Sequence, residues 1–417
     1  MNTIFDGKLR VLDISMGWAG ALVGQMFAEM GAEVLKVEDT HHFDWWRGSL
    51  SMAPPEMQPI ERAAVFNTAN RGKRGVTLDL ASARGIEILK RLIEVSDVLV
   101  ENFSPGVMDR RGLGYEAVSA INPRLIMISM PSFGSDGPEC NARGYGNTVE
   151  AMAGVTGLTG YHDGDGQRYT LSNALGDPVG GLHGVFALMV ALYERERSGR
   201  GQLIELAQVE SLIPFVAEAI VDFQFTEKVP AARGNRHREY APHGIYRCAG
   251  DDNWIALACE TGDQWRSLAS ALGVEQLASD KRFASASDRK ANEDALDAEL
   301  SRAIAPLNAD DCAERLRDAG VLAAPVNSAS AVMADPQIQS REYFVAIDRA
   351  VVGTHLYPGA VARIPDTPLR ADTPAPLLGE HNRQVFAELL GMNDDDIAEL
   401  ERSGVIGSSP RQYRAAS

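Results

Sequence analysis

The sequence lacks the features of several large classes of protein. Its 417 residues include only four cysteines, which lie far apart and show no CxxC spacing and no metal-binding pattern with histidine. The N-terminal segment lacks the basic-then-apolar layout of a signal peptide, and no apolar run is long enough to cross a bilayer. We therefore expect a reduced, cytoplasmic protein with no metal and no membrane partner.

Positive charge is also scarce. Forty Lys and Arg residues against 57 Asp and Glu residues give a formal net charge of −17. Nucleic acid and anionic membranes require a basic surface, so neither is an expected partner. A small anionic ligand remains compatible with this charge, because a local basic cluster is screened from distant acidic groups.

Three motifs of common nucleotide-binding and hydrolytic folds are missing. The sequence contains no GxxxxGK[ST] loop, no GxGxxG after its first predicted strand and no GxSxG elbow. Phosphate-loop nucleotide hydrolysis, dinucleotide binding and α/β-hydrolase chemistry therefore have no motif to support them.

Strands and helices alternate through about the first 130 residues. Short buried strands are predicted at LRVLDIS, AEVLKVE, GVTLDL, DVLVENF and RLIMISM, with helical patterns among them. This alternation predicts an α/β fold with a mainly parallel, Rossmann-like sheet. Such sheets bind ligands beyond the carboxyl ends of their strands, which draws attention to Asp39, Asp79, Asn102, Phe103 and Ser132.

A long helix is predicted where the sequence reads GDPVGGLHGVFALMVALYERERSG. Asp177 precedes Pro178, apolar residues recur at helical spacing, and Gly199 follows two arginines. This pattern predicts a helix over about 178–198 with Asp177 as its N-cap. On pattern alone, a capping role for Asp177 is favoured over a catalytic one.

Other clusters leave two interpretations open. The basic run NRGKRG at 70–75 fits a phosphate-facing loop or a solvated turn. Asn102, Phe103 and the later Arg110 fit a nucleotide site, or a core Phe beside a surface Arg. Trp45 and Trp46 fit a ligand pocket or a packed loop.

Several segments, in a fixed order along nearly the whole chain, resemble the class III CoA-transferase family. It is also called the carnitine/bile-acid CoA-transferase, or CaiB/BaiF-like, family. The matching segments include VLDIS, GAEVLKVE, NRGKRGVTLDL, SDVLVENFSPGVMDRRGLGYE, NPRLIMISMPSFGSDGP, GDPVGGLHGVFALMVALYERERSGRGQLIEL, APHGIYRCAGDDNWIAL and PLLGEHN. The resemblance implies an enzyme that moves CoA from an acyl-CoA donor to a carboxylic acid acceptor.

The resemblance makes Asp177 the catalytic nucleophile, acting through an aspartyl anhydride and an aspartyl-CoA thioester. A helix N-terminus favours its ionised form, and we expect Gly180 and Gly181 to expose backbone N–H groups to an oxyanion. The coenzyme A thioester is then a substrate, and no cofactor is expected to be bound permanently.

The resemblance also implies a set of CoA contacts. These are Trp18, Ala19, Leu78, Asp79, Leu80, Ala81, Asn102, Phe103, Ser104, Arg110, Arg143 and Tyr145. Asp39 stands where some relatives carry a phosphate-binding Arg, so Lys73, Arg74 or Arg47 is expected to replace that contact. Trp45 and Trp46 indicate a bulky or apolar acyl pocket.

Two further departures from the family pattern bear on the substrate. Gly146 stands where an acidic residue commonly follows the Tyr, and the glycine-rich flap of formyl-CoA transferases is absent. Oxalate and formate are therefore not expected as substrates.

For the architecture, the resemblance implies a large domain built from residues 1–227 and a returning segment, 329–417. A smaller α/β domain, 228–328, is inserted between them, where the composition turns rich in Gly, Pro, Arg and His. The resemblance also implies a homodimer whose two chains pass through each other like linked rings.

Two alternative functions remain. An α-methylacyl-CoA racemase of the same fold needs a His where this chain has Tyr145, and a neutral phenol is a poor base near neutral pH. A non-catalytic acyl-CoA-binding protein would not need a carboxylate at position 177.

Overall fold

The computed structural model describes residues 3–48, 59–161, 168–170 and 174–411, and the chain forms two compact units. The first unit comprises 1–155, 170–225 and 339–417, and the second comprises 156–169 and 226–338.

A six-stranded parallel sheet forms the centre of the first unit. Its strands are β1 (Arg10–Asp13), β2 (Glu33–Glu38), β3 (Arg74–Thr77), β4 (Val98–Glu101), β5 (Ile126–Ser129) and β6 (Leu203–Glu205). The spatial order is β3-β2-β1-β4-β5-β6, and each neighbouring pair is parallel. The prediction of an α/β fold with a mainly parallel, Rossmann-like sheet is confirmed.

Helices and two small antiparallel sheets complete the described chain. The small sheets are β7 (His243–Arg247), β8 (Trp254–Ala258) and β9 (Leu322–Pro325) in the second unit, and β10 (Phe344–Arg349) with β11 (Gly353–Pro358) in the first. The helices are α1 (Ala19–Glu29), α2 (Ala64–Ala69), α3 (Ala83–Glu94), α4 (Val107–Arg110), α5 (Tyr115–Ile121), α6 (Gly146–Met152), α7 (Val155–Leu158), α8 (Gly176–Ser198), α9 (Gln208–Leu212), α10 (Ala217–Thr226), α11 (Gly262–Ala271), α12 (Glu275–Ala278), α13 (Ala286–Ala291), α14 (Glu293–Ile304), α15 (Ala309–Asp318), α16 (Ala329–Ala334), α17 (Pro336–Ser340), α18 (Asn382–Leu390) and α19 (Asp394–Ser403).

The large sheet is covered on both faces because successive strand residues point in opposite directions. Leu12 of β1 joins a core cluster that includes residues of α3, α18 and α19, whereas its neighbour Val11 joins one that includes residues of α1 and α8. Ser82 starts α3 by accepting a hydrogen bond from the Gly85 N–H at 3.0 Å. Burial on both faces explains why the strands read as short continuous apolar runs.

A network of buried charges lies at the carboxyl ends of β1 and β2. The Lys36 ammonium, fully buried, lies 3.0 Å from the Asp44 carboxylate and 3.9 Å from that of Asp13. The Arg47 guanidinium donates to both Glu38 oxygens at 2.8 Å and stacks over the Phe66 ring at 3.6 Å. These pairs fix the loop after β2, which carries Trp45 and Trp46, to the sheet.

The same kind of pairing anchors the C-terminal part of the first unit. Arg349 of β10 donates to the Glu61 carboxylate at 2.7 Å, and Arg47 donates to the same oxygen at 2.9 Å. Leu378 N–H donates to the other Glu61 oxygen at 3.0 Å. One buried carboxylate therefore joins the loop after β2 to the returning segment.

We predict that Lys36→Met destabilises the protein by about 3–5 kcal/mol, because the buried Asp13 and Asp44 carboxylates lose a shared cation. Urea unfolding followed by circular dichroism measures the change. The matched control is Arg84→Met, which removes an exposed ion pair with Glu87 and should cost at most about 1 kcal/mol. Equal losses in the two variants would contradict a structural role for the buried network.

Candidate active site

A cleft opens where the order of the large sheet reverses, between β1 and β4. Asn102, just after β4, accepts a hydrogen bond from the Met16 N–H at 2.9 Å and donates one to the Met16 carbonyl at 2.7 Å. This pair of bonds ties together the two loops that leave the sheet at its switch point, where ligands of open α/β sheets bind. The loops carry Trp18 on one side and Phe103 on the other.

The cleft contains two neighbouring cavities. The larger one has a volume of about 680 Å³ and is lined by residues that include Asp177, Tyr145, Arg143 and Trp45. The smaller one, of about 200 Å³, is lined by residues that include Leu80, Ala81 and Arg111. Met16, His42 and Phe103 line both cavities, so the two together form one elongated cleft.

Asp177 is not the N-cap of α8, so that prediction is wrong. The helix begins at Gly176, with Leu175 at the capping position, and the Asp177 N–H donates to the Ala174 carbonyl at 3.2 Å. Pro178 remains compatible with this start because the whole first turn tolerates a missing N–H. Asp177 therefore lies inside the first turn.

A residue from another helix satisfies the start of α8. The Glu150 carboxylate, fully buried on α6, accepts a hydrogen bond from the Leu175 N–H at 2.5 Å. The Asp177 carboxylate is thus relieved of a capping role, and it accepts no hydrogen bond from any residue in the described ranges.

The environment of Asp177 disfavours its charge. Burial raises the pKa of the Asp177 carboxyl to about 6, and repulsion by the Glu150 carboxylate adds to the rise. Gly146 packs closely at this point, because a Cβ there would lie 2.3 Å from that of Ala174 and 3.2 Å from Asp177 Oδ2. The position that commonly carries an acid in the family thus has room only for glycine here.

The glycines after Asp177 serve close packing. A Cβ on Gly181 would lie 2.8 Å from the Ala19 carbonyl of α1, and one on Gly180 would lie 3.3 Å from the Gln208 side chain. Both glycines lie in the second turn, where backbone N–H groups bond to helix carbonyls. The prediction that they present N–H groups to an oxyanion is therefore not supported.

An aromatic wall stands on one side of the larger cavity. The Trp45 ring meets the Tyr145 ring edge to face at 5.9 Å, and Trp46 packs on Trp18 at 5.3 Å. Asp44 holds this loop by accepting hydrogen bonds from the backbone N–H groups of Gly17 and Trp46, each at 3.0 Å. Trp45 and Tyr145 are 48% and 64% exposed, so their faces are available to a ligand.

Many of the predicted site residues lie along the cleft. Those that line the larger cavity are Trp18, Trp45, Asn102, Phe103, Ser104, Arg143, Tyr145 and Asp177. Leu80 and Ala81 line the smaller one. Segments far apart in sequence therefore meet on one surface.

Other predicted residues do not reach either cavity. Ala19 and Leu78 are buried in core clusters, and the Asp79 carboxylate accepts from the Ala81 N–H at 2.8 Å. Arg110 and Trp46 lie outside both linings. The side chains of these residues pack in the core, bond within local turns or lie at the surface.

The three cations predicted to replace the family's phosphate contact are engaged in ion pairs. Lys73 is fully buried, and its ammonium lies 2.8 Å from the Asp13 carboxylate. Arg74 pairs with Glu33 and Glu388, and Arg47 is held by the buried network. Burial lowers the pKa of Lys73 to about 8, which further separates it from a role as a free surface cation. The geometry does not support a phosphate role for any of the three.

The sequence reasoning missed several residues of the cleft. His42, Cys140 and Gln208 line the larger cavity, and Arg111, next to the predicted Arg110, lines the smaller one. Gln208 is held by a 2.8 Å hydrogen bond from its amide to the Met130 carbonyl. Its position just after β6, at the carboxyl edge of the sheet, is the signal that would have identified it.

In the described part of the chain, no group of acidic, His and Cys side chains has the geometry to hold a metal ion. Across those same residues, no helix combines the length and hydropathy needed to span a membrane. The four cysteines are unpaired.

The fold is that of an α/β protein with a cleft at the switch point of its parallel sheet. A family model described as CoA-transferase family III matches residues 7–382, which is most of the chain. The chain therefore belongs to CoA-transferase family III, and it is an enzyme of the class III CoA-transferase type.

The chain is similar to characterised members along nearly their whole length. It is 32% identical to succinyl-CoA–D-citramalate CoA-transferase from Chloroflexus aurantiacus, covering 95% of this chain and 97% of the relative. It is 34% identical to succinate–glutarate CoA-transferase from Agrobacterium fabrum, covering 91% and 94%. A crystal structure of a CaiB/BaiF family protein from Brucella suis matches with a TM-score of 0.84 and 35% identity, covering 93% of this chain and all of that one.

We predict that Glu150→Gln lowers the pKa of Asp177 from about 6, because the variant removes the nearby negative charge. The value should stay above the ordinary 3.8, since burial of Asp177 is unchanged. The ionised form of Asp177 would then persist to lower pH than in the wild type. Infrared difference titration, with Asp177→Asn to assign the carboxylate band, measures both values.

In Glu150→Gln the new amide oxygen would still accept from the Leu175 N–H, so the start of α8 should remain in place. Glu116→Gln, an exposed substitution on α5, is the matched control and should leave the titration unchanged. An unshifted Asp177 titration in Glu150→Gln would show that the buried carboxylate does not act on Asp177.

Proposed function

We propose that the protein transfers CoA from an acyl-CoA to a free carboxylic acid with Asp177 as the covalent nucleophile. The observation that carries the proposal is the Asp177 carboxylate itself. It lines the cleft, accepts no hydrogen bond from the described residues, and lies in the first turn of the 23-residue helix α8. A carboxylate in that state is available to attack a carbonyl carbon.

The reaction proceeds by two exchanges at Asp177. An Asp177 oxygen attacks the thioester carbonyl, the carbon–sulfur bond breaks, and CoA leaves as a thiolate. The thiolate then attacks the side-chain carbonyl of Asp177, which releases the donor acid and leaves an aspartyl-CoA thioester. The acceptor carboxylate reverses both steps, so that acyl-CoA forms and Asp177 returns as a carboxylate. No net proton transfer is required.

The raised pKa of Asp177 suits this chemistry. At about pH 7 a carboxyl whose pKa is about 6 is still mostly ionised, and its greater basicity makes it a stronger nucleophile than an ordinary carboxylate. The N-terminus of α8 offers a partial positive charge to the anion. Removal from water also protects the anhydride and thioester from hydrolysis.

The elongated cleft suggests how CoA lies. The thioester must reach Asp177 in the larger cavity, so the nucleotide end extends toward the smaller cavity, past Phe103 and toward Leu80. Arg111 is the basic residue at that end, and we assign it the phosphate role expected of Arg110. Phe103 offers a ring face between the two ends.

A racemase reaction is less well supported. Removal and return of a proton at Cα require two proton-transfer groups on opposite sides of the substrate. Tyr145 occupies the position expected for the second group and offers a phenol in contact with Trp45. A protein that only binds acyl-CoA would not need a desolvated carboxylate at Asp177.

We also propose that the protein is a homodimer whose two chains are linked. The domains are expected to be 1–227, 228–328 and 329–417, and the setting is expected to be cytoplasmic. An apolar stripe on α8 supports the dimer. Phe186 and Tyr193 are 70% and 69% exposed, and Leu182, Met189 and Val190 lie along the same helix. A contiguous apolar stripe of this kind marks a protein–protein contact.

We predict that Asp177→Asn reduces CoA transfer to below about a thousandth of the wild-type rate, because the amide cannot form the anhydride. The assay mixes protein, an unlabelled acyl-CoA and an isotopically labelled free acid, and measures label in the CoA ester. Glu194→Gln, at the far end of the same helix, is the matched control and should transfer at the wild-type rate.

Three results of this assay separate the candidate functions. Label in the CoA ester with the wild type identifies a transferase. Deuterium uptake at Cα without label transfer identifies a racemase. If both results are absent, the protein is a binding protein. Transfer at full rate by Asp177→Asn would contradict the assigned nucleophile.

We predict that the wild type sediments at twice the 45.0 kDa chain mass and that Phe186→Glu with Tyr193→Glu lowers the dimer fraction. Charges on the apolar stripe would have to be buried against the partner, which is costly. Arg84→Glu, an exposed charge reversal on α3, serves as the control. A wild type that sediments as a single chain would contradict the dimer.

A further inference from the structure

One buried side chain of the larger cavity has a hydrogen-bond acceptor without a donor. Gln208, the first residue of α9, is 5% exposed and lines that cavity together with Asp177. Its amide nitrogen donates to the Met130 carbonyl at 2.8 Å, but its Oε1 accepts no hydrogen bond from any residue in the described part of the chain. A buried polar atom without a protein partner is costly unless a ligand or water supplies one.

The orientation of the Gln208 amide is fixed by its surroundings. A backbone carbonyl can only accept, so the amide nitrogen must face Met130 and the oxygen must point elsewhere. The Gln208 N–H donates to the Pro131 carbonyl at 3.1 Å, and Ser211 Oγ donates to the Gln208 carbonyl at 2.6 Å. Backbone and side chain are both held, which is the arrangement expected of a group that contacts a ligand.

The free oxygen lies beside the helix that carries Asp177. The Gln208 side chain packs against Gly180 of α8, where a Cβ would lie 3.3 Å from Gln208 Cγ and 3.7 Å from Oε1. Gly180 comes three residues after Asp177, and residues three apart on a helix share a face. The free acceptor and the reacting carboxylate therefore lie on one side of α8.

The reacting groups themselves do not supply a donor for this oxygen. The thioester carbonyl, the carboxylate of the acceptor acid and the ionised Asp177 carboxylate carry only acceptors. The pantetheine arm of CoA does supply one. Two methylene groups separate the thioester sulfur from the first amide of that arm, so the N–H of this amide enters the larger cavity with the thioester.

We propose that Gln208 Oε1 accepts a hydrogen bond from the pantetheine amide N–H nearest the sulfur, and that this contact positions the thioester carbonyl at Asp177. This inference rests on the proposed CoA transfer at Asp177. Gln208 takes no part in bond making, but it holds the arm that carries the reacting carbonyl. The contact does not involve the acyl group, so it serves the acyl-CoA donor and the acyl-CoA product alike.

Calorimetry tests the contact with two ligands that differ only at this amide. One is desulfo-CoA, which keeps the pantetheine amide, and the other is its analogue with an ester oxygen in place of that N–H. We expect the wild type to bind desulfo-CoA about tenfold more tightly than the ester analogue, because one buried hydrogen bond between neutral groups is lost. Neither ligand carries an acyl group, so the result does not depend on which acid the enzyme uses.

Two variants assign the effect to Gln208. Gln208→Met keeps the length of the side chain and removes the acceptor, so it should bind the two ligands within about twofold of each other. Because this variant also loses the bond to the Met130 carbonyl, the readout is the ratio of the two affinities, which a change in packing alone would not move. Gln384→Met, the same substitution at an exposed position on α18, is the matched control and should keep the wild-type ratio.

The transfer assay tests the positioning role. Gln208→Met should lower kcat as well as raise KM for the acyl-CoA donor, because a misplaced thioester reacts more slowly. Gln384→Met should change neither constant.

The proposal is overturned if the wild type binds desulfo-CoA and its ester analogue equally, a result that needs no variant. It is also overturned if Gln208→Met keeps the tenfold preference, because another group would then accept the amide N–H, or if Gln208→Met keeps the wild-type kcat. A wild type that binds neither ligand contradicts the proposed CoA transfer itself, and this contact with it.

Discussion

The central constraint of the site is the burial of Asp177 beside a second carboxylate, that of Glu150 on the neighbouring helix α6. Glu150 of α6 accepts the Leu175 N–H at the start of α8, so that Asp177 is relieved of the capping role that its position suggests. Burial raises the pKa of the Asp177 carboxyl to about 6, and repulsion by the Glu150 carboxylate adds to the rise. Glu150 therefore contributes both to the start of α8 and to the raised pKa of Asp177.

The rest of the first unit positions the other side chains of the cleft around the Asp177 carboxylate. The parallel sheet brings the loops after β1, β2, β4 and β5 to one edge, and Asn102 joins two of them through Met16. The buried ion pairs of Lys36 and Arg47 fix the aromatic loop in place. Such pairs contribute less to net stability than to geometry, because desolvation offsets much of their attraction.

The sequence was sufficient for the sheet, for helix α8 and for eight of the residues that line the larger cavity. The hydrophobic periodicity and the order of the motifs carry that information. It was not sufficient for the role of Asp177 at the helix start, since Glu150, whose carboxylate accepts the Leu175 N–H there, lies on a different helix. Lys73 reads as a loop cation, but the fold buries it beside Asp13. Arg110 and Arg111 are equivalent in a sequence, and only the fold shows that Arg111, at the end of α4, lines the smaller cavity. In each case a contact distant in sequence decides the role.

The most direct test of the account is to identify the covalent intermediate. Protein incubated with an acyl-CoA is treated with hydroxylamine, which converts an aspartyl thioester or anhydride into a stable hydroxamate, and the modified peptide is mapped by mass spectrometry. The account predicts a hydroxamate at Asp177 that requires the acyl-CoA. Active transfer without modification of Asp177, or with the adduct at another residue, would contradict it.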